Sequence, residues 1–214
     1  QMLKSLASNA NLGGIALTHA HIGHYSGLLF LGKETLGAKN IDVYSMPKMS
    51  LFLKNNGPWS QLIQEKNIKI NELKNDSVQT LSKYISIKPI LVPHRDEFSE
   101  TVGYLIKGEV KSVLFLPDID KWEKWDKKIE DLIRTVDYAF IDGTFYNGEE
   151  IQHRNIDEIP HPFVVETLER FKTLKEKDKK KVYFIHLNHT NPLLKPNNVI
   201  AKELIKRGYK IART

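Results

Sequence analysis

Residues 18 to 24 read Thr-His-Ala-His-Ile-Gly-His, which places three imidazoles, those of His19, His21 and His24, within six positions. The chain has eight histidines and no cysteine, so any metal must be held by His, Asp or Glu. His19 and His21, two apart on an extended segment, project toward the same side and grip one ion, while His24, beyond a tight turn, reaches a second ion or a water. His94 completes a three-histidine set on the first ion. Asp118, with two oxygens, is the natural bridge between ions, and His186 serves the second. Such a site brings the pKa of bound water toward neutrality and polarises a carbonyl or phosphoryl oxygen, so the expected nucleophile is metal-bound hydroxide, with Asp118 and His24 in catalytic roles. Imidazole and carboxylate suit zinc, one or two ions, with iron or manganese as alternatives.

Those side chains need elements to carry them. Short apolar runs rich in β-branched and aromatic residues predict strands over Gly14 to Leu17, Ile41 to Tyr44, Ile85 to Val92, Val102 to Ile106, Val113 to Leu116, Tyr138 to Ile141 and Val182 to Ile185. Helical spacing links Trp122, Trp125, Ile129, Leu132, Ile133 and Val136, and again Val164, Leu168, Phe171 and Leu174, the second set after a Pro162 suited to a first turn. The tail from Asn198 reads as helix, Gly208, then a last strand. Together these predict a layered α/β fold in one continuous unit, with no internal repeat or linker. Five of the strands run into a histidine or an aspartate: His19, His94, Asp118, Asp142 and His186. Strand ends at one edge of an α/β sheet converge, and sites are built there.

Composition narrows the partners. The chain of 214 residues is 41% hydrophobic, enough for a real core, yet no apolar run approaches the roughly 18–20 residues that span a bilayer, and the first residues lack the pattern of a signal peptide. The expectation is a soluble chain with no membrane partner, its compartment, cytoplasmic or periplasmic, left open. Much of the net charge of +6 sits in Lys172 to Lys181, where lysines alternate with acids and no aromatic is interleaved to stack a base. Nucleic acid is therefore not expected, and a small-molecule substrate is.

The strings "THAHIGH", "VPHRDEFSETVGYLI", "LFLPDID" and "YFIHLN" together resemble the His-x-His-x-Asp-His signature, third histidine, bridging aspartate and final histidine of the metallo-β-lactamase superfamily. "PHRDE", "PDIDKW", "DGTFY", "IPHP" and "HLNHTNP" resemble its branch of pyrroloquinoline quinone biosynthesis protein B and homologues. The resemblance runs from about Gly13 to Pro192. It implies an αβ/βα four-layer sandwich with metals at one edge between two sheets. Since members begin with several strands ahead of the His-rich loop, it also implies that the N-terminal strands of the first half-domain are lacking here. An open sheet edge would then favour a homo-oligomer or association with the missing segment.

Gly23 departs from the pattern, which has an aspartate there to hold the second ion and handle a proton. Three readings follow: two ions with the second held weakly and His189 or Asp120 substituting; one ion, in a donor set like that of non-haem iron oxygenases; or a vestigial site. Around the ligands, Asp142 is either an acceptor that orients an imidazole or a turn residue beside Gly143. His161 is either a helix-entry residue or part of the pocket rim, and His189 lies in a polar cluster that lines a pocket or stabilises a turn. Arg95, with Asp96 and Glu97, forms a loop ion pair or touches substrate. His153 is expected on the surface, and Trp59 and Tyr104 in packing. The function these residues suggest is metal-dependent hydrolysis of a small-molecule ester, amide or phosphodiester. The alternatives are an iron-dependent oxygenase of cofactor biosynthesis and a non-catalytic binding protein.

Overall fold

A computed structural model describes residues 12–151 and 159–212; His153 lies outside them. The described chain is mixed α/β and divides into two compact units, neither continuous in sequence. One comprises residues up to Ser77 together with Asp96–Val102; the other comprises Val78–Arg95 and Gly103 onward.

The first unit is built on three parallel strands, β1 (Ile15–Ala16), β2 (Ile41–Ser45) and β3 (Ile68–Glu72), with β2 in the middle. Parallel neighbours need crossovers, and helical segments supply them: Ile22–Leu31 between β1 and β2, then Pro47–Asn55 and Trp59–Gln64 between β2 and β3. Pro47 opens its helix, where its missing N–H costs nothing. Leu28, Leu31, Val43, Met49, Leu53, Trp59 and Ile68 form the core, so Trp59 packs as expected. The strand β3 escapes the sequence reading because only Ile68 and Ile70 alternate in it, too short a pattern to register.

The second unit holds seven strands in the order β10-β9-β8-β7-β6-β5-β4, namely β4 (Gln79–Thr80), β5 (Ser86–Leu91), β6 (Val102–Lys107), β7 (Ser112–Leu116), β8 (Tyr138–Asp142), β9 (Val182–Ile185) and β10 (Lys210–Ile211). Pairing is parallel from β7 through β10 and antiparallel for β7 with β6 and β5 with β4. Leu116 pairs with Ile141 and Ile141 with Phe184, so the C-terminal ends of β7, β8 and β9 finish level. Asp118, Asp142 and His186 follow from that alignment.

The segment from Trp122 to Val136 is less helical than its spacing predicts. Trp122–Lys124 makes a single 3-10 turn, Trp125 is extended, and the α-helix covers only Ile129–Thr135. The two indoles decide this: Trp122 Nε1 donates to Thr167 Oγ1 at 2.9 Å and Trp125 Nε1 to Leu91 O at 2.9 Å. A buried indole N–H is stabilised by a partner, and these partners lie on separate elements that one helical face does not satisfy. The next helix runs Val164–Arg170 and tightens into a 3-10 turn over Phe171–Thr173, with Pro162 just ahead of its cap Phe163. Val199–Lys206 and β10 follow the expected order, and Gly208 between them adopts φ +90°, a left-handed conformation that favours glycine. No helix among the described residues is long and apolar enough to cross a membrane.

Candidate metal centre

In the first unit, the chain leaves β1 through Leu17, whose N–H donates to Tyr44 O. It is then clasped by Asp96–Val102: Val102 N–H donates to Thr18 O at 3.1 Å and Ala20 N–H to Ser99 Oγ at 2.8 Å. These two bonds tie residues 18 to 20 to that segment, the chain bends at Ala20 and His21, and His21 (φ −91°, ψ 138°) caps the short helix Ile22–Tyr25. The turn closes with His24 N–H on His21 O. Ring centroids of His21 and His24 lie 4.4 and 4.2 Å from that of His19, whose residue is 1% exposed. His19 Nε2 and His21 Nδ1 share a hydrogen bond of 2.9 Å, His19 Nδ1 and Thr18 Oγ1 one of 3.1 Å, and His21 Nε2 meets Glu97 Oε2 at 3.0 Å.

Gly23 has no steric reason to be glycine. An ideal Cβ there meets nothing within 4 Å, and its φ lies outside the left-handed region.

In the second unit, Asp118 is 2% exposed and surrounded by imidazoles. His161 Nδ1 lies 3.2 Å from Asp118 Oδ1, His186 Nε2 3.4 Å from Oδ2, and His94 Nε2 3.8 Å from Oδ1. Donor atoms of Asp118, His161 and His186 all fall within 4.8 Å of one another. His94, His161 and His186 come from three separate loops, each placed by an adjoining strand or helix. His186 adopts φ +59°, a strained conformation for a non-glycine residue, of order 1–3 kcal/mol, of the kind found at functional sites.

Asp142 organises this half. Its carboxylate, fully buried, accepts from Thr144 N–H at 2.9 Å, Thr144 Oγ1–H at 2.7 Å and Ile119 N–H at 3.3 Å, and faces His161 Nδ1 at 2.8 Å. Thr144 Oγ1, having given its one proton to Asp142, is an acceptor for His186 Nδ1 at 2.8 Å. That bond protonates His186 at Nδ1 and leaves the Nε2 lone pair toward Asp118. His161 likewise carries a proton on Nδ1, held by Asp142, but in this ring it is Nδ1 rather than Nε2 that lies beside Asp118. Burial presses the His161 imidazolium down, but the charge and hydrogen bond of Asp142 and the charge of Asp118 outweigh it and the opposing Arg95, so its pKa lies above the ordinary histidine value.

The remaining candidates are placed less centrally. Asp120 accepts from Lys124 Nζ and from Lys121 N–H, both at 2.7 Å. Arg95 and His189 are exposed, and Tyr104 is buried in packing. Thr144, which bridges Asp142 and His186, does not stand out in the sequence. Its signal was its place two residues beyond a strand-end aspartate, after a Gly143 whose Cβ would stand 3.0 Å from Phe184 Cβ.

The donors fit a divalent cation: a buried carboxylate ringed by imidazoles, and a second imidazole cluster whose nitrogens approach to 2.9 Å. No thiolate is available, which favours zinc, iron or manganese over softer ions.

Among curated proteins the chain is similar to coenzyme PQQ synthesis protein B of Acinetobacter baumannii, 26% identical over 164 residues covering 72% of this chain and 52% of the relative. It is also similar to the protein of that name from Methylobacillus flagellatus, at 24% identity covering 95% of this chain and 72% of the relative. The chain thus spans about half the length of the first. Among solved structures it resembles zinc-bound PqqB from Methylobacterium extorquens (TM-score 0.75, 17% identity, 94% of this chain and 71% of the other). It also resembles a diphosphatase from the PhnP family (TM-score 0.66, 17% identity, 99% and 73%). A family model for the Beta-lactamase superfamily domain matches residues 1–187, and a match over so much of the sequence means that this chain belongs to that superfamily.

Proposed function

We propose that the chain is a metal-dependent hydrolase acting on an ester, amide or phosphodiester of a small molecule. In this reading His19, His21, His24, His94, Asp118 and His186 are ligands for zinc, one ion or two. A bound divalent ion supplies Lewis acidity and lowers the pKa of a coordinated water. The observation that carries the reading is the Asp142–His161 pair. With Nδ1 held by Asp142 at 2.8 Å, and with the carboxylates of Asp142 and Asp118 favouring its protonated form, His161 has Nε2 left for a substrate group. Hydrolysis needs such a proton donor for its leaving group. The diphosphatase named among similar structures supports hydrolysis of a phosphate-containing substrate.

The test is a panel of phosphodiester, lactone and amide substrates with zinc-loaded protein. His161→Gln is expected to retain the parent's zinc content, because its Nδ1 already serves Asp142, while kcat falls about 10²–10⁴-fold. It should also lose the alkaline limb of the kcat–pH profile, since a proton donor fails as pH rises through its pKa. Loss of zinc in this variant would make His161 a ligand instead.

One feature favours a second reading, an iron-dependent oxygenase. Gly23 removes a carboxylate from the family's pattern and leaves a His-rich donor set with one Asp, which suits non-haem iron, and the names of the curated relatives associate them with cofactor synthesis. Oxygen uptake by the iron form, with no turnover of the panel, would select it. Because a Cβ at Gly23 enters open space, Gly23→Asp is expected to fold as stably as the parent and to raise metal bound per chain, read by elemental analysis. Unchanged stoichiometry would show that the glycine does not limit it.

A further inference from the structure

We infer that Glu97 is a positioning residue that fixes the ring of His21 and its tautomer, presenting the Nδ1 lone pair rather than Nε2 to a divalent cation. The inference rests on the proposed metal reading and adds a residue to it, one outside the ligand set.

One chain of hydrogen bonds sets the proton positions. Glu97 has only acceptor oxygens when ionised, so its 3.0 Å contact with His21 Nε2 makes that nitrogen the donor. A neutral imidazole carries one N–H, and only the neutral ring ligates a metal. His21 Nδ1 is therefore the lone-pair nitrogen, and it faces His19 Nε2 at 2.9 Å. In the metal-free protein the bond between them is a proton given by His19 Nε2 to His21 Nδ1. A cation taking that place needs His19 to carry its proton on Nδ1 instead, where Thr18 Oγ1, at 3.1 Å, can switch from donor to acceptor. Glu97 is the acceptor that selects the productive tautomer of His21 over its flipped counterpart.

The backbone places Glu97 for this task. It belongs to the segment Asp96–Val102, which is bound to the His-rich stretch on both sides, by Ser99 Oγ on Ala20 N–H and by Val102 N–H on Thr18 O. The neighbouring carboxylates are engaged elsewhere: Asp96 accepts from Thr101 Oγ1 at 2.9 Å, and Glu100 from Lys48 N–H at 3.0 Å. The Glu97 side chain is 47% exposed, so replacing it opens no cavity.

Carboxylates that orient metal-ligating histidines are typically worth about 10–100-fold in metal affinity. We expect Glu97→Ala to weaken zinc binding by that factor in competition with a chromophoric chelator, and Glu97→Gln, whose amide oxygen still accepts from Nε2–H, to recover most of the loss. In metal-free protein at mildly alkaline pH, imidazole nitrogen NMR should show His21 protonated on Nε2 in the parent and in Glu97→Gln, and a tautomer mixture in Glu97→Ala. Equal weakening in both variants would reduce Glu97 to a distant charge, and unchanged affinity with an unchanged His21 tautomer would show it idle; either overturns the inference. Parent protein that binds no zinc overturns the metal reading and this inference with it. Zinc-binding parent with an indifferent Glu97→Ala overturns the inference alone.

Discussion

Asp118→Asn is expected to bind zinc about 10²–10⁴-fold more weakly than the parent and to lose substrate turnover with it. The carboxylate is 2% exposed, with nitrogens of His161, His186 and His94 at 3.2, 3.4 and 3.8 Å, so its charge is desolvated and a cation bound among those imidazoles would answer it at close range. Asparagine keeps the volume and one oxygen but not the charge. Removing one member of a buried charge pair costs about 3–5 kcal/mol, and at about 1.4 kcal/mol per decade that is two to four decades of affinity. Isothermal titration of metal-free protein with zinc reads it, and a urea midpoint close to the parent's shows that the fold survives. Zinc affinity unchanged by Asp118→Asn would remove Asp118 from the ligand set and take the proposed hydrolytic site with it. Two further carboxylates near or in sequence beside this residue do not compensate. Asp142 is occupied by Thr144, Ile119 and His161, and Asp120 is held by Lys124 and the Lys121 amide.

What the sequence discloses of this arrangement follows from how strongly each feature writes itself into local pattern. The runs before Asp118, Asp142 and His186 are apolar because β7, β8 and β9 are inner strands of the seven-stranded sheet, each hydrogen-bonded to a neighbour on both sides. Their polar terminators stand out against that background. The strand β3 and the two-residue β4 leave no comparable trace, as one shows a bare alternation and the other only Gln79 and Thr80. The Trp122–Val136 spacing mimics a helix because residues that wrap a core also recur at threes and fours; the indole hydrogen bonds that break the helix are long-range and have no sequence signature. Thr144 and Glu97 were hard to read for the same reason. A threonine after glycine looks like a turn, and a glutamate in Arg95-Asp96-Glu97 looks like surface charge, until His186 and His21 are found against them. His161 is the clearest gain, since its two carboxylates arrive from different strand ends and only the tertiary structure joins them.

The level strand ends themselves depend on the core beneath them, and Leu116→Ala is expected to destabilise the protein by about 2–5 kcal/mol. Leu116 is the last residue of β7, wholly buried, two positions before Asp118 and in register with Ile141. Its side chain fills the space left by Gly103, where an ideal Cβ would stand 3.2 Å from Leu116 Cγ. Ile119 and Ile141 beside it are also wholly buried, and the strands on either side of β7 are hydrogen-bonded in place, so the hole left by truncation has little means of closing. That argues for the upper half of the range, because the cost grows with the cavity that remains. Val110→Ala, at a residue 82% exposed, is the control and should stay within about 0.5 kcal/mol of the parent. Urea unfolding of metal-free protein measures both without the contribution of bound zinc. If Leu116→Ala matched Val110→Ala, β7 would not be anchored as its packing requires, and the convergence of Asp118, Asp142 and His186 would need another cause.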